Sequence, residues 1–158
     1  MKGLKKSAVM VILQSGDQFL LLERLKPPHQ GLYAPVGGKI DPYEDPNQTA
    51  IRETREETGI ELEGVRYLGS LIEHAPIDYN WHCLIYTAEI PWQEPPACDE
   101  GTLRWVSLNQ LDAAPLPPTD PWIYQYMLRQ QVFMFNAAFD ANGEMLWMRE
   151  EIEGILLG

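Results

Sequence analysis

Hydrophobic positions fall into short runs rather than one long periodic stripe. Ala8 to Gln14 and Gln18 to Leu25 are two runs rich in branched and aliphatic residues, separated by Ser15-Gly16-Asp17, and this arrangement predicts a β-hairpin. Both runs are nearly continuous in apolar side chains, the pattern of strands covered on both faces. Residues 26 to 44 hold four prolines and three glycines and read as a loop. Further strands are expected at Val65 to Ile72, His82 to Ile90 and Leu103 to Ser107. They are divided by turn chemistry at Ala75 to Asn80 and by a Pro-rich loop at Pro91 to Glu100. A second Pro-rich stretch, Asp112 to Pro121, leads into a helix over Trp122 to Gln131, with Asp120 as its cap and Pro121 at its first position. Val132 to Phe139 and Glu144 to Arg149 form a closing hairpin around Asp140-Ala141-Asn142-Gly143, where Asn-Gly is a strong turn signal. Several strands, two helices, no repeat and no dividing linker predict a single domain over 1–158, an α/β (α+β) sandwich with a mixed sheet.

The first helix has unusually explicit ends. Asp45 suits the cap, Pro46 the first helical position, Gln48 the reciprocal arm of a capping box and Gly59 the left-handed stop, so the helix is placed at Pro46 to Thr58. At about 100° per residue, Ala50, Ile51 and Thr54 point toward a core while Glu53, Glu56 and Glu57 share an arc of roughly 100°. Like charges so placed cost a few tenths of a kcal/mol per pair, and the second half of a helix disfavours anions further. Arg52 and Arg55 offset this in part. A bound divalent cation would offset it better, and an all-oxygen ligand set prefers Mg²⁺ or Mn²⁺. A solvated acidic face is the other reading of the same pattern. The preceding loop tips the balance, because Gly37-Gly38 lets backbone approach a ligand closely and Glu44 brings a fourth carboxylate to the helix entrance.

Charge sharpens the picture. The chain has 158 residues and a formal net charge of -11, which argues against a general binder of nucleic-acid polymers, since those need a basic face. The distribution is uneven: +4 over residues 1 to 40, -6 over 41 to 63 and -9 over 64 to 158. The apolar run Ala8 to Leu13 is six residues long, shorter than the ~7 of a signal-peptide core and the ~18 of a membrane span, so no membrane partner is expected and a cytoplasmic setting is. Cys83 and Cys98 have no CxxC spacing and form no zinc cluster with the histidines. His74 and His82 read as core or surface residues.

Gly38, Glu44, Arg52, Glu53, Glu56, Glu57, Gly59 and Ile60 stand at the spacing G-x5-E-x7-R-E-U-x-E-E-x-G-U, with U a bulky aliphatic residue. This resembles the Nudix box. Eight of its nine defined positions match, and Thr54 departs from the ninth, where its methyl still allows packing. The resemblance implies a Nudix-type α/β/α sandwich with a central mixed β-sheet, and a Nudix hydrolase that cleaves a nucleoside diphosphate linked to another group. It assigns the Gly37 carbonyl, Glu53, Glu56 and Glu57 to a Mg²⁺ (or Mn²⁺) site and makes Arg52 the residue that orients one of the glutamates. By residues alone, Arg52 is equally an i,i+4 partner of Glu56.

Over most of the chain the resemblance narrows to MutT-like enzymes that hydrolyse oxidised purine nucleoside triphosphates such as 8-oxo-dGTP. It then adds Glu100 to the metal and catalytic set, Arg24, Gly38 and Lys39 to the phosphate contacts, and Asp120 as reader of the purine edge. Each has a plainer reading: Glu100 as a loop charge, Arg24 as a surface charge, Asp120 as a helix cap. Tyr33, Trp81 and Trp122 are candidates to stack on a base, and equally for the core. Two departures bear on recognition, since Pro117-Pro118-Thr119-Asp120 lacks an aromatic wall and one acid of the subgroup's pattern, and Ala34 replaces a base-contacting asparagine. The leading expectation is a small-molecule nucleotide hydrolase releasing a nucleoside monophosphate and pyrophosphate, as a monomer or homodimer. The alternatives are a Nudix pyrophosphatase for ADP-ribose or another nucleotide, and a catalytically silent nucleotide-binding regulator.

Overall fold

The computed structural model describes residues 2–27 and 29–158. The expected first hairpin is present as β1 (Leu4–Ser15) and β2 (Gln18–Arg24), with β1 starting four residues before the apolar run. The glycine- and proline-rich segment after it contains two short strands the sequence pattern did not reveal, β3 (Tyr33–Ala34) and β4 (Val36–Lys39). Next come α1 (Pro46–Thr58), β5 (Arg66–His74), β6 (Tyr79–Glu89), β7 (Ala97–Cys98) and β8 (Gly101–Ser107). A 3-10 helix over Leu108–Ala113, α2 (Asp120–Leu128), β9 (Phe133–Phe139), β10 (Met145–Glu150) and β11 (Ile155–Leu156) complete the chain.

The sheet runs β11-β10-β9-β5-β6-β1-β2-β8-β7. It is mixed: β1 and β6 are parallel, as are β5 and β9, and the other pairs are antiparallel. Side-chain alternation along β1 and β2 feeds two cores, one on each face. Ile12, Phe19 and Leu21 enter the first, together with Ile123, Tyr124 and Met127 of α2. Val9, Val11, Leu13, Leu20 and Leu22 enter the second, which Ala50 of α1 covers. The two helices therefore close opposite faces of one sheet, the α/β/α arrangement expected, and this explains why the first two strands lack polar alternation. Among the described residues no helix is long and apolar enough to cross a membrane.

The strand pairing also creates a gap. Beyond Leu13 and Leu20, β1 and β2 diverge, and β3 and β4 are wedged between them. Val36 to Lys39 pair with Val11 to Ala8, and Tyr33 and Ala34 pair with Glu23 and Leu22. The glycine pair is thereby fixed at the centre of the sheet rather than on a free loop. On the far side of β2, Arg24 is opposite Gly101, which brings Glu100 to the same end.

Candidate active site

The helix that carries the three glutamates is built as its sequence specifies. Asp45 accepts a hydrogen bond from the Gln48 N–H, the Gln48 side chain accepts one from the Asp45 N–H, and Gly59 ends the helix at φ 75°. Its buried face is Thr49, Ala50, Thr54, Glu57 and Thr58. Ile51, expected in the core, is only half-buried, and the threonines take its place. They fit because Thr54 donates to the Ala50 carbonyl at 2.8 Å and Thr58 to the Thr54 carbonyl at 2.6 Å, leaving only methyls toward the core. Thr54 thus occupies the atypical box position without an unpaired hydroxyl.

Arg52 is the hub of the site's outer half. Its Nε and Nη2 donate to the two carboxylate oxygens of Glu44 at 2.8 and 2.9 Å, and Nη1 donates to Glu53 at 2.9 Å and Glu56 at 3.1 Å. Nη2 also reaches the Lys39 carbonyl at 3.2 Å. This is more than an i,i+4 pair, because it ties the loop after β4 to the helix. Glu44 is consequently committed to Arg52 and to the Thr49 hydroxyl at 2.6 Å, and these two hydrogen bonds bring its carboxyl down to about 2. It stands at the helix entrance, as expected from the sequence, and serves there as the clamp on the arginine.

The three helical glutamates occupy three environments. Glu56 is mostly exposed, Glu53 is largely covered, and Glu57 is buried at 9% exposure. Burial raises the Glu53 carboxyl above its ordinary range, with Arg52 opposing. Glu57 accepts from the Gly37 N–H at 2.9 Å. Its carboxyl is pushed up to about 9, first by burial and then by a hydrogen bond with Glu100. Glycine is required beside them. A Cβ on Gly38 would stand 2.4 Å from the Glu53 carboxylate, and one on Gly37 would stand 2.0 Å from the Val9 carbonyl oxygen. Among the described residues no three His, Cys, Asp or Glu side chains converge on one metal-sized point. The donors that do gather, Glu57 with Glu100 and Glu53 against the Gly38 backbone, are all oxygen, which is the chemistry of a hard divalent cation.

A cavity of about 420 Å³ opens beside this pair and is bordered by Arg24, Gly37, Gly38, Lys39, Glu100 and Asp120. The wedge of β3 and β4 between β1 and β2 is what brings these positions to one place. Asp120 is not the helix cap: Thr119 precedes the helix in a helical conformation with no side-chain cap bond, and Asp120 lies in the first turn. Its carboxylate is 2% exposed. Oδ1 accepts from the Thr119 hydroxyl at 3.1 Å, while Oδ2 has no partner. Burial raises the carboxyl to about 7, against the pull of Thr119. All three aromatic candidates pack on the core, and of them Trp81 also borders the cavity. His74 and His82 border neither this cavity nor a neighbouring one of about 530 Å³.

Glu73 and His29 border both cavities and were not singled out by the sequence. His29 carries no signal. For Glu73 a signal existed, since it follows Leu71 by two residues on β5 and so shares its inward side.

The NUDIX domain profile matches residues 4–131. An uncharacterized Nudix hydrolase, YvcI of Bacillus subtilis, is 31% identical over 76% of this chain and 77% of its own length. The NAD-capped RNA hydrolase NudC of Pseudomonas aeruginosa is 31% identical over 70% of this chain, which spans 38% of that protein. A putative 8-oxo-dGTP diphosphatase 3 of Mycobacterium tuberculosis is 30% identical over 63% of this chain and 48% of its own length. In three dimensions the chain is similar to a MutT protein from Bacillus halodurans, with a TM-score of 0.80, 24% identity and 93% and 98% of the two chains covered.

Proposed function

Because the chain belongs to the Nudix hydrolases, enzymes that act on a nucleoside diphosphate linked to a further group, we propose that its substrate is an oxidised purine deoxynucleoside triphosphate such as 8-oxo-dGTP, cleaved to the monophosphate and pyrophosphate. The observation that carries this reading is Asp120. A carboxyl that is 2% exposed, with one oxygen unpartnered, costs stability in the unliganded protein and is retained where a ligand supplies the missing donor. The Watson–Crick edge of a guanine-type base offers N–H donors. Asp120 shares its cavity with Arg24, Lys39 and the Gly38 backbone, a cationic and glycine-rich side suited to phosphates. The base and phosphates of one nucleotide then span the cavity from Asp120 to Glu100.

The Gly37 carbonyl, Glu53, Glu56, Glu57 and Glu100 form the oxygen set that would hold Mg²⁺, or Mn²⁺ in its place. A divalent cation held by these residues would supply Lewis-acid chemistry, activating a water and offsetting phosphate charge. The residues around it do the positioning. The Gly37 N–H fixes Glu57, and Arg52 fixes Glu53 and Glu56.

The test is steady-state hydrolysis of 8-oxo-dGTP, 2-hydroxy-dATP, dGTP, ADP-ribose and an NAD-capped oligonucleotide in Mg²⁺. We expect the highest kcat/KM for an oxidised purine triphosphate, with pyrophosphate as co-product. A clear preference for ADP-ribose or the NAD cap would replace this reading, and nucleotide binding without turnover of any substrate would favour a regulator.

A further inference from the structure

One carboxylate in the base cavity has no role in the reading above. Glu73 lies on β5, and with Leu71 it faces the cavity that Asp120 enters from α2. The two acids come from different elements, yet they sense one another: after burial, the charge of Glu73 raises the Asp120 carboxyl, and burial first and then both acids raise the thiol of Cys83, which also borders the cavity. Glu73 is half-buried, and burial lifts its carboxyl while Lys5 opposes. Lys5 does not satisfy it, however, because the ammonium donates to the Glu73 backbone carbonyl and meets His74 Nδ1 at 3.1 Å. Among the described residues no donor is paired with the Glu73 carboxylate. The cavity therefore presents two acceptor groups, one of them the nine-tenths-buried Asp120 with a free Oδ2.

Ligand chemistry distinguishes what two acids can read. Guanine has N–H donors only on its Watson–Crick side; at its other edge N7 is an acceptor, which a carboxylate repels. Oxidation at C8 converts N7 to N–H and so supplies a donor on that second edge. We propose that Glu73 is a specificity-determining residue that accepts a hydrogen bond from the N7–H of an oxidised purine, while Asp120 takes the Watson–Crick edge. This rests on the oxidised-purine reading of the site. It also accounts for the absence of a second acid beside Asp120, where Thr119 stands: the second acceptor comes from β5 instead. A site built around a substrate N–H discriminates against the analogue lacking it, by about 10- to 100-fold for a single good pair.

The experiment compares kcat/KM of wild type, Glu73→Gln and Asp120→Asn for 8-oxo-dGTP, dGTP and the N7-methylated analogue of 8-oxo-dGTP. For Glu73→Gln we expect the 8-oxo-dGTP to dGTP ratio to fall about tenfold or more, through KM. N7-methylation should be costly for wild type and much less so for Glu73→Gln. Should Glu73→Gln not fold, Glu73→Asp, which keeps the charge near Lys5 and withdraws the carboxylate by one methylene, should lower the same ratio. Wild-type preference for 8-oxo-dGTP that survives unchanged in the folded variant overturns the role of Glu73 alone. Wild type without that preference overturns the substrate reading and this inference together.

Discussion

Gly38 and Glu53 are fitted to one another, since a single added methyl at position 38 would occupy the space of the Glu53 carboxylate, 2.4 Å away. The contact joins a strand inserted between β1 and β2 to the carboxylate helix. It sets where Glu53 can stand, and four consequences of the site's construction can be measured.

Gly38→Ala should fold, because the clash falls on the end of a side chain that can move, but it should lose on the order of 10²-fold in kcat/KM as Glu53 is displaced. Gly37→Ala meets the Val9 backbone oxygen at 2.0 Å, which cannot yield without disturbing the β1–β4 pairing. That variant should lose about 3 kcal/mol or more of stability. Thermal melts beside kinetics of both variants check the contrast; equal melting losses would sink it.

Arg52→Lys keeps the charge and loses the fork that serves Glu44, Glu53 and Glu56 at once. The arginine is partly exposed, so stability should fall by only about 1 kcal/mol. Activity should fall more, about tenfold, and the Mg²⁺ concentration for half-maximal rate should rise. A rate loss with no change in the Mg²⁺ midpoint would separate Arg52 from Glu53 and Glu56.

Glu57→Gln removes a metal-ligand candidate while keeping size and the bond from the Gly37 N–H. Turnover should fall by at least about 10²-fold with the fold intact by circular dichroism. In wild type, EDTA should abolish activity and Mg²⁺ restore it. Near wild-type rates in the variant, or undiminished activity in EDTA, would overturn the metal assignment.

Asp120 gives the unliganded protein a pH-dependent stability. Its carboxyl is raised from 3.8 to about 7, so the folded state binds the proton more tightly than the unfolded state. Stability is then full below about pH 4 and is lost as pH rises through 7, by on the order of 4 kcal/mol. Glu57, raised to about 9, adds a slope of the same sign. Denaturant melts of the nucleotide-free protein at pH 5, 6.5 and 8 should show falling stability, and Asp120→Asn should remove part of the fall. Identical slopes in the two proteins would contradict the burial of an ionisable Asp120.

The carboxylate helix was legible residue by residue. Asp45, Gln48 and Gly59 act within four residues of the groups they bond, so a linear reading finds both ends. The strands of the two hairpins were legible for a similar reason, because apolar runs and turn chemistry are local. β3 and β4 were not, since two- and four-residue strands amid prolines and glycines exist only because β1 and β2 separate and leave edges to pair. Asp120 was misread as a cap from a correct local cue, Pro121, because the cap preference of aspartate carries no information about burial.

The sequence by itself determined the family-like order of box residues, the helix that displays them and the apolar strands beneath. Those follow from spacing and local hydrogen bonding, which a few neighbouring residues fix. Only the tertiary structure decided that Arg52 serves Glu44 as well as two helical glutamates, that Glu57 meets Glu100, and that Glu73 and Asp120 share a cavity. Each of these joins residues brought together by strand register, the β1–β4 and β2–β8 pairings and the packing of α2 on the sheet. Register is settled by the collective burial of two cores, which no single stretch of the chain encodes.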